Sequence, residues 1–293
     1  MKTRLTLSHA AWRRAALSVP LAAITSLLSA NTASAQNYVL QNNGSTATVN
    51  LGDGSGGTGL IGMNNWTVGS QNQLDQQWFY YSVNGGGVQS IDMLGGLVPS
   101  LTGGNSILTA TYSNSQLAIQ VQYQLTGTGS GGADLSASAY VFNLTQANLN
   151  VNFYQYGNFD LLNEANTLNV YGDTVNGYSS VVQSASGTGS GIQETINQPY
   201  ANYAAANTPG QVMSDIAAGT PLSGPYSASG SVAWAFEWSS TVTPYDGNLA
   251  NSWNALQDQN MDIQSVPEPA PMALIALGLG ALGFARRTLK RNV

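Results

Sequence analysis

The sequence predicts an all-β protein, a β-sandwich of the jelly-roll or Greek-key type that occupies residues 36–244. Short runs rich in aromatic and β-branched residues recur along this segment, and several alternate apolar and polar side chains, as half-buried strands do. Glycine-serine clusters at 52–59, 127–132 and 186–191 separate the runs. Many short strands divided by such turns favour a sandwich.

The first predicted strands lie between residues 78 and 171. Residues 78–83 carry aromatic side chains on both faces and end at a turn of three glycines. Residues 106–125 predict a hairpin, because its return arm places aliphatic side chains and a tyrosine on one face and mostly glutamine on the other. Three further segments continue the pattern: 137–144, 149–156 and 168–171.

The strongest strand pattern covers residues 231–242. Every second residue is large and apolar, and these residues share one face: Val232, Trp234, Phe236 and Trp238. We predict that this face belongs to the core. Glu237 lies on the other face, and we predict that it points towards solvent.

Two other segments complete the predicted body. Residues 210–218, between Pro209 and Gly219, predict a short helix whose apolar face is formed by Val212, Met213 and Ile216. Residues 245–265 are rich in Asn, Gln and Asp, which predicts a polar linker after the folded body.

The distribution of charge is uneven. Charged residues make up 8% of the chain, against about 25% in typical globular proteins. The eight Lys and Arg residues and the single histidine, His9, all lie in the two terminal segments. All of the fourteen Asp and Glu residues except Glu268 lie between residues 36 and 265. The predicted body is therefore acidic and has no side-chain cation.

This composition excludes several classes of function for the body. Without Lys or Arg it cannot neutralise phosphates, which argues against a nucleic-acid partner. Without His or Cys it cannot perform Ser-His or Cys-His nucleophilic catalysis, and it cannot form the usual zinc sites. The chain also has no cysteine for disulfides, so burial and backbone pairing must hold the fold together.

Residues 1–35 predict a cleavable signal peptide. A basic region is followed by an apolar segment from residue 15 to about residue 28, and then by the small residues Ala33-Ser34-Ala35 that a signal peptidase requires. We expect the signal peptidase to recognise Ala33 and Ala35 and to cleave after Ala35. Gln36 would then be the first residue of the mature protein. The basic region consists of Lys2, Arg4, Arg13 and Arg14.

Residues 266–293 have three parts in order. The triplet Pro267-Glu268-Pro269 precedes an apolar run at 272–285, which predicts one transmembrane helix. From Pro269 to Ala285 such a helix would span roughly 25 Å, close to the ~30 Å hydrocarbon core of a bilayer. A basic cluster follows, which would remain cytoplasmic and leave the body on the other side of the membrane. The cluster consists of Arg286, Arg287, Lys290 and Arg291.

This tail resembles the PEP-CTERM sorting signal of Gram-negative bacteria. The likeness rests on the Pro-Glu-Pro triplet, the short glycine-containing helix and the arginine-rich end, in a chain that begins with a signal peptide. The resemblance implies that an exosortase recognises and cuts the tail near the triplet. It also implies delivery to the cell surface or the extracellular matrix, where members of this family accompany exopolysaccharide and biofilm production.

The candidate metal sites are two turn segments. Asp53 and Asp246 each stand beside turn glycines and other oxygen donors, as calcium ligands do, although Asp-Gly is foremost a turn signal. We expect no cofactor, and the open alternative is calcium, which the excess of carboxylates would accept wherever two of them converge.

Two carbohydrate-related alternatives remain open. A glycosidase would need a pair of carboxylates about 5–10 Å apart, and the body offers the glutamates Glu164, Glu194 and Glu237, with Asp160 close to the first. A carbohydrate-binding module, with or without calcium, would use the abundant tyrosine, tryptophan and amide side chains. We favour a third hypothesis, in which the body is not catalytic and has a structural or adhesive role at the surface or in the matrix.

Overall fold

The computed structural model describes residues 36–52, 60–129, 131–248 and 252–263. In chain order, the first nine strands are β1 (Asn37–Asn42), β2 (Ser45–Asn50), β3 (Gly62–Val68), β4 (Gln71–Asn72), β5 (Leu74–Val83), β6 (Gln89–Ser90), β7 (Val98–Thr102), β8 (Ile107–Ser113) and β9 (Leu117–Gly127). They are followed by β10 (Gly132–Asn143), β11 (Leu149–Phe159), β12 (Asn166–Asp173), β13 (Gly177–Ala185), β14 (Gly191–Ile196), β15 (Tyr203–Asn207), helix α1 (Pro209–Ala218), β16 (Ser227–Gly230), β17 (Ala233–Val242) and β18 (Trp253–Asp262).

These strands form two sheets of nine strands each. Sheet A has the order β1-β2-β3-β5-β11-β17-β15, with the short β4 paired to β3 and the short β6 paired to β5. Sheet B has the order β16-β12-β13-β14-β18-β10-β9-β8-β7. The strand ladders are antiparallel throughout. The prediction of an all-β sandwich is confirmed.

The main core lies between the two sheets, and aromatic side chains dominate its centre. Phe79 of β5 stacks on Phe153 of β11 with ring centroids 5.4 Å apart, and it approaches Tyr123 of sheet B at 6.2 Å. Trp234 and Trp238 of β17 are at most 1% exposed in the same core. The predicted core face of residues 231–242 is therefore confirmed.

A second, smaller core lies on the outer face of sheet A, beneath α1. Val212 and Ile216 of the helix are buried there, in a cluster that also holds Tyr154 and Tyr156 of β11. The sheet beneath the helix is lined by small side chains, which let a helix approach closely: Ala205, Ala233 and Ala235. The helix ends at Gly219, which adopts a left-handed conformation (φ 66°) that glycine tolerates without strain.

The predicted helix at 210–218 is confirmed. Because this helix packs on sheet A, the prediction that Glu237 points towards solvent is wrong. Glu237 does not point towards solvent, because the side chain lies on the face that α1 and the following loop enclose, and it is 0% exposed. An alternating pattern identifies the two faces of a strand, but it does not reveal that a helix packs on the second one.

The prediction of a polar linker at 245–265 is also wrong. Residues Trp253–Asp262 form β18, which pairs with β10 on one side and β14 on the other inside sheet B. The inward positions of β18 carry alanine, two glutamines and a methionine, so the strand lacks the usual apolar alternation. Gln257 and Gln259 are buried in a polar part of the core, so the polar composition of this segment does not mean that it is exposed to solvent.

Within the described ranges, no helix is long and apolar enough to cross a membrane. The transmembrane helix predicted at 272–285 lies outside the described residues, as does the signal peptide at 1–35.

Candidate functional site

Glu194 lies in the interior between the sheets and is 0% exposed. Its Oε2 accepts hydrogen bonds from Nε2 of Gln155, in sheet A, at 3.0 Å and from Nε2 of Gln259, its neighbour in sheet B. Burial raises the pKa of the Glu194 carboxyl to about 7, although the two amide donors oppose this shift. The carboxyl therefore joins the two sheets and has no access to a ligand in solution.

The surroundings of Glu194 are unusually polar for the centre of a sandwich. Gln77 and Gln257 bring further amide groups into the interior, and none of their side-chain polar atoms has a partner among the described residues. Trp234 lies close by, packed over Gly157, where an added Cβ would come within 2.8 Å of the indole ring. The side chains of this cluster are at most 2% exposed, so the two sheets enclose it.

Glu237 lies on the opposite face of sheet A. Its cross-strand partner is Tyr154, whereas Glu194 bonds to the next residue along β11, Gln155, and successive strand residues point to opposite faces. Oε2 of Glu237 accepts the backbone N–H of Leu222 at 2.9 Å, and burial raises the pKa of this carboxyl. Sheet A thus separates the two glutamates, and they cannot act together on one substrate.

Glu164 is exposed and lines a different pocket, of about 290 Å³, together with Asp75 and Asp160. The pKa of Asp75 is raised by burial and by the neighbouring charge of Asp160. The structure therefore brings Glu164 and Asp160 to one pocket, as their spacing in the chain suggested. It does not bring Glu164 together with the other two glutamates.

Of the two candidate calcium ligands, the structure describes Asp246 but not Asp53. Oδ1 of Asp246 accepts the backbone N–H of Asn248 at 2.9 Å, which is the geometry of a turn. Asp53 lies outside the described residues. In the part of the chain that the structure describes, no group of three or more His, Cys, Asp or Glu residues could hold a metal ion. Calcium binding stays a prediction.

One pair of carboxylates on sheet B was not singled out from the sequence. Asp134 of β10 and Asp258 of β18 are neighbours on adjacent strands. The pKa of Asp134 is raised to about 7, first by burial and then by the charge of Asp258. Because the two residues are far apart in the chain, only the pairing of β18 with β10 could have revealed them.

A larger groove lies where the turn between β12 and β13 meets the loop before β15. Its volume is about 590 Å³. We call it the tyrosine groove, and it is lined by Thr174, Val175, Asn176, Gly177, Gln198, Pro199, Tyr200, Asn202 and Tyr203. None of these side chains carries a charge.

The turn that forms one wall of the tyrosine groove is fixed by Asp173. Its Oδ1 accepts the backbone N–H groups of Val175 and Asn176, both at 2.7 Å, and its Oδ2 accepts Nδ2 of Asn176 at 2.9 Å. These hydrogen bonds lower the pKa of Asp173. An aspartate that bonds to its own following backbone in this way holds the turn in one conformation.

The loop that forms the other wall is attached to the sheets at several points. The carbonyl of Pro199 accepts Nε1 of the core residue Trp238 at 3.0 Å, and Oδ1 of Asn202 accepts the backbone N–H of Ser239 at 2.8 Å. Between them, the backbone of Ala201 exchanges two hydrogen bonds with Tyr178, at 2.8 and 3.1 Å. Both walls of the groove are therefore held in place by the fold.

Exposed aromatic rings are concentrated at this end of sheet B. Tyr200 in the groove is 38% exposed, and Tyr171 and Tyr226 nearby in the fold are 51% and 40% exposed. Tyr226 stacks on the buried Tyr178 with ring centroids 5.1 Å apart, and burial raises the pKa of Tyr178 to about 12. This surface was not predicted from the sequence, although the three amide residues and two tyrosines within 197–203 were a usable signal.

Comparison with protein-family models finds the PEP-CTERM protein-sorting motif at residues 265–291. The chain carries a PEP-CTERM sorting motif. The resemblance stated from the sequence is confirmed, and the motif implies export and processing by an exosortase. The sorting triplet Pro267-Glu268-Pro269, the basic cluster from Arg286 to Arg291 and the signal peptidase residues Ala33 and Ala35 lie outside the described residues.

Comparison with solved structures finds similarity in fold. A bacterial glucoamylase complexed with acarbose matches with a TM-score of 0.53 and 13% identity, over 84% of this chain and 35% of the glucoamylase chain. The GalM/aldose epimerase homologue from C. elegans matches with a TM-score of 0.44 and 10% identity, over 80% of this chain and 100% of that one. The likeness to the glucoamylase is one of fold alone. Among curated proteins, no sequence matches this chain.

Proposed function

We propose that this chain is an exported, non-catalytic protein of the cell surface or the exopolysaccharide matrix, with a structural or adhesive role. The observation that carries the proposal is the PEP-CTERM sorting motif at residues 265–291, downstream of a β-sandwich. A signal that directs a protein across and out of the membrane suits a domain that acts outside the cell. The strongly acidic, cation-free body suits a hydrated and soluble surface domain.

The positions of the glutamates support a non-catalytic role. Glu194 and Glu237 are both 0% exposed and lie on opposite sides of sheet A, where each bonds to groups that belong to the fold. The exposed Glu164 shares its pocket with Asp75 and Asp160. A carboxylate-pair glycosidase is therefore the less favoured alternative, and the pocket at Glu164 is where the glutamates named from the sequence would allow its catalytic pair.

Replacement of the triplet tests the sorting part of the proposal. We expect the variant Pro267→Ala, Glu268→Ala, Pro269→Ala to accumulate as an unprocessed precursor in the inner membrane. The wild-type chain should instead lose its tail and reach the surface. Intact mass and cell fractionation in a host with an exosortase measure both results. The single variant Pro271→Ala, which alters the same segment but leaves the triplet intact, is the matched control.

Normal processing and surface display of the triple variant would contradict the proposed sorting. A mature mass that retains Arg286 in the wild-type chain would also contradict it, because the tail would then be an ordinary membrane anchor. Release of reducing sugars from a polysaccharide by the wild-type protein, lost in Asp160→Asn or Glu164→Gln, would replace the non-catalytic role with a glycosidase.

The second candidate function is a carbohydrate-binding module, with or without calcium. The tyrosine groove favours this alternative, because its lining combines aromatic rings with amide side chains. A glycan array probed with and without EDTA separates the possibilities. Binding that EDTA removes would indicate calcium-assisted recognition, and the absence of binding on every glycan would favour a purely structural role.

A further inference from the structure

We propose that the tyrosine groove binds a neutral polysaccharide chain, with the ring of Tyr200 as its stacking platform. This inference rests on the proposed function, since it names the ligand class and the site through which an adhesive role would operate. The notable feature is the location of an exposed aromatic ring in a groove whose walls are fixed by the fold.

The two walls of the tyrosine groove are formed before a ligand binds. Asp173 fixes the turn at 174–177 through three hydrogen bonds, and Trp238 and Ser239 fix the loop at 198–203 from the side of sheet A. A groove that is already formed does not have to be ordered when the ligand binds, which removes a common cost of association. The backbone of both groove walls is thus set before any ligand arrives.

The side chains that line the tyrosine groove match the chemistry of a sugar ring. The faces of sugar rings carry C–H groups that pack on aromatic rings, while their hydroxyls form hydrogen bonds with amides. Tyr200 is 38% exposed and offers the ring. Asn202 uses Oδ1 for the backbone of Ser239, which leaves its Nδ2 as a donor for a ligand, and Gln198 adds a second amide.

The charges in and around the groove favour neutral chains over acidic ones. No charged side chain lines the groove, and the described body contains no Lys or Arg that could neutralise a uronate or a sulfate. The nearest turn is held by the ionised Asp173, whose charge would repel an anionic polysaccharide. An uncharged sugar chain needs no cation to neutralise it and is not repelled by Asp173.

The size and form of the groove agree with this ligand class. A volume of about 590 Å³ lies within the range of about 300–1,000 Å³ that is usual for small-ligand sites. The groove is open to solvent, so a sugar chain can reach it from outside.

Affinity electrophoresis of the exported protein, isolated from cells that express the full chain, tests the inference. The neutral probes are dextran, β-1,3-glucan, cellohexaose and mannohexaose, and the acidic probes are alginate and polygalacturonate. We expect retardation by at least one neutral probe and by neither acidic one. Tyr200→Ala should weaken that binding by about tenfold or more, because the burial of one aromatic ring is lost. Tyr200→Phe keeps the ring and should bind within about twofold of wild type.

The matched control is Tyr171→Ala, which removes a more exposed tyrosine that does not line the groove. Because Tyr200 and Tyr171 both lie at the surface, neither variant should unfold the protein, and thermal melting checks this. The inference is overturned if no neutral probe binds, if acidic probes bind better than neutral ones, or if Tyr200→Ala binds as wild type does. It is also overturned if Tyr171→Ala loses as much affinity as Tyr200→Ala.

Failure of this inference can be told apart from failure of the proposed function. A protein that reaches the surface, hydrolyses nothing and binds none of the probes keeps its proposed role and loses only the groove. A protein that stays in the membrane with its tail intact, yet binds a neutral glycan through Tyr200, keeps the groove and loses the proposed destination.

Discussion

The interior between the sheets and the small core beneath α1 each enclose a glutamate that is 0% exposed, but they hold it in different ways. In the interior, Glu194 accepts side-chain amides from residues 39 and 65 positions away, one of them in the opposite sheet. Beneath α1, Glu237 accepts the backbone N–H of Leu222, which is 15 positions away in the chain. The first glutamate connects two layers, and the second attaches one loop to one sheet.

The difference shows how a body without cations accommodates buried carboxylates. Salt bridges between side chains are impossible in it, so N–H and hydroxyl groups are the available donors. Amides only partly offset the cost of burial, and the pKa of both carboxyls is accordingly raised. A carboxyl shared between sheets should affect the whole fold when it is changed, whereas one bonded to a loop should affect that loop.

The largest expected effect comes from a matched pair of substitutions in the two cores. Ile192→Ala, in β14 of the interior, should lower the free energy of unfolding by about 4 kcal/mol, because two packed sheets cannot close around the cavity. Ile216→Ala, in α1, should cost about 2 kcal/mol, because a helix on an outer layer can settle into the space. Denaturant unfolding measures both. An equal or larger loss for Ile216→Ala would refute the distinction between the cores.

The second effect is a dependence of stability on pH that originates in the interior. The folded pKa of Glu194 is raised from 4.5 to about 7, so the folded state holds a proton that the unfolded state has released. The contribution is fully present below pH 4.5 and is lost as the pH rises through about 7. The free energy of unfolding should fall by about 3 kcal/mol across this window on account of Glu194.

The variant Glu194→Gln, which cannot titrate, tests this dependence. Between pH 4.5 and pH 8 the free energy of unfolding should fall in both proteins, and the fall should be about 3 kcal/mol smaller in Glu194→Gln than in wild type. A remaining slope is expected, because the pKa of Asp134 is also raised, to about 7. Glu164→Gln, at an exposed site, is the control and should follow wild type. An unchanged pH profile for Glu194→Gln would mean that Glu194 does not carry the effect.

Much of the fold could be predicted from the sequence, because the spacing of apolar residues indicates which side chains of a strand or helix are buried. The aromatic face of β17 and the short helix α1 both followed from the spacing of apolar residues. β18 could not be found in this way, since Gln257 and Gln259 face inward, and the Glu194 carboxylate that Gln259 contacts lies on a strand distant in the chain. A buried amide looks like a surface residue until its partner is known.

The candidate site was less predictable than the fold. The sorting motif is a contiguous signal, so it could be recognised from residues 265–291 alone. The tyrosine groove combines a turn at 174–177 with a loop at 198–203, and only the pairing of Tyr178 with Ala201 brings the two together. The burial of Glu237 likewise depends on a helix that precedes it in the chain and packs across its strand.

The smallest expected effect concerns the loop beneath α1. Glu237→Leu removes the acceptor of the Leu222 N–H and leaves that donor buried without a partner, which should cost about 1–2 kcal/mol. Glu237→Gln keeps an acceptor oxygen at the same place and should cost less. Because the contact is local, hydrogen exchange of the Leu222 amide should accelerate in Glu237→Leu while the amides of β14 keep their protection. Equal acceleration in β14 would mean that Glu237, like Glu194, supports the whole fold.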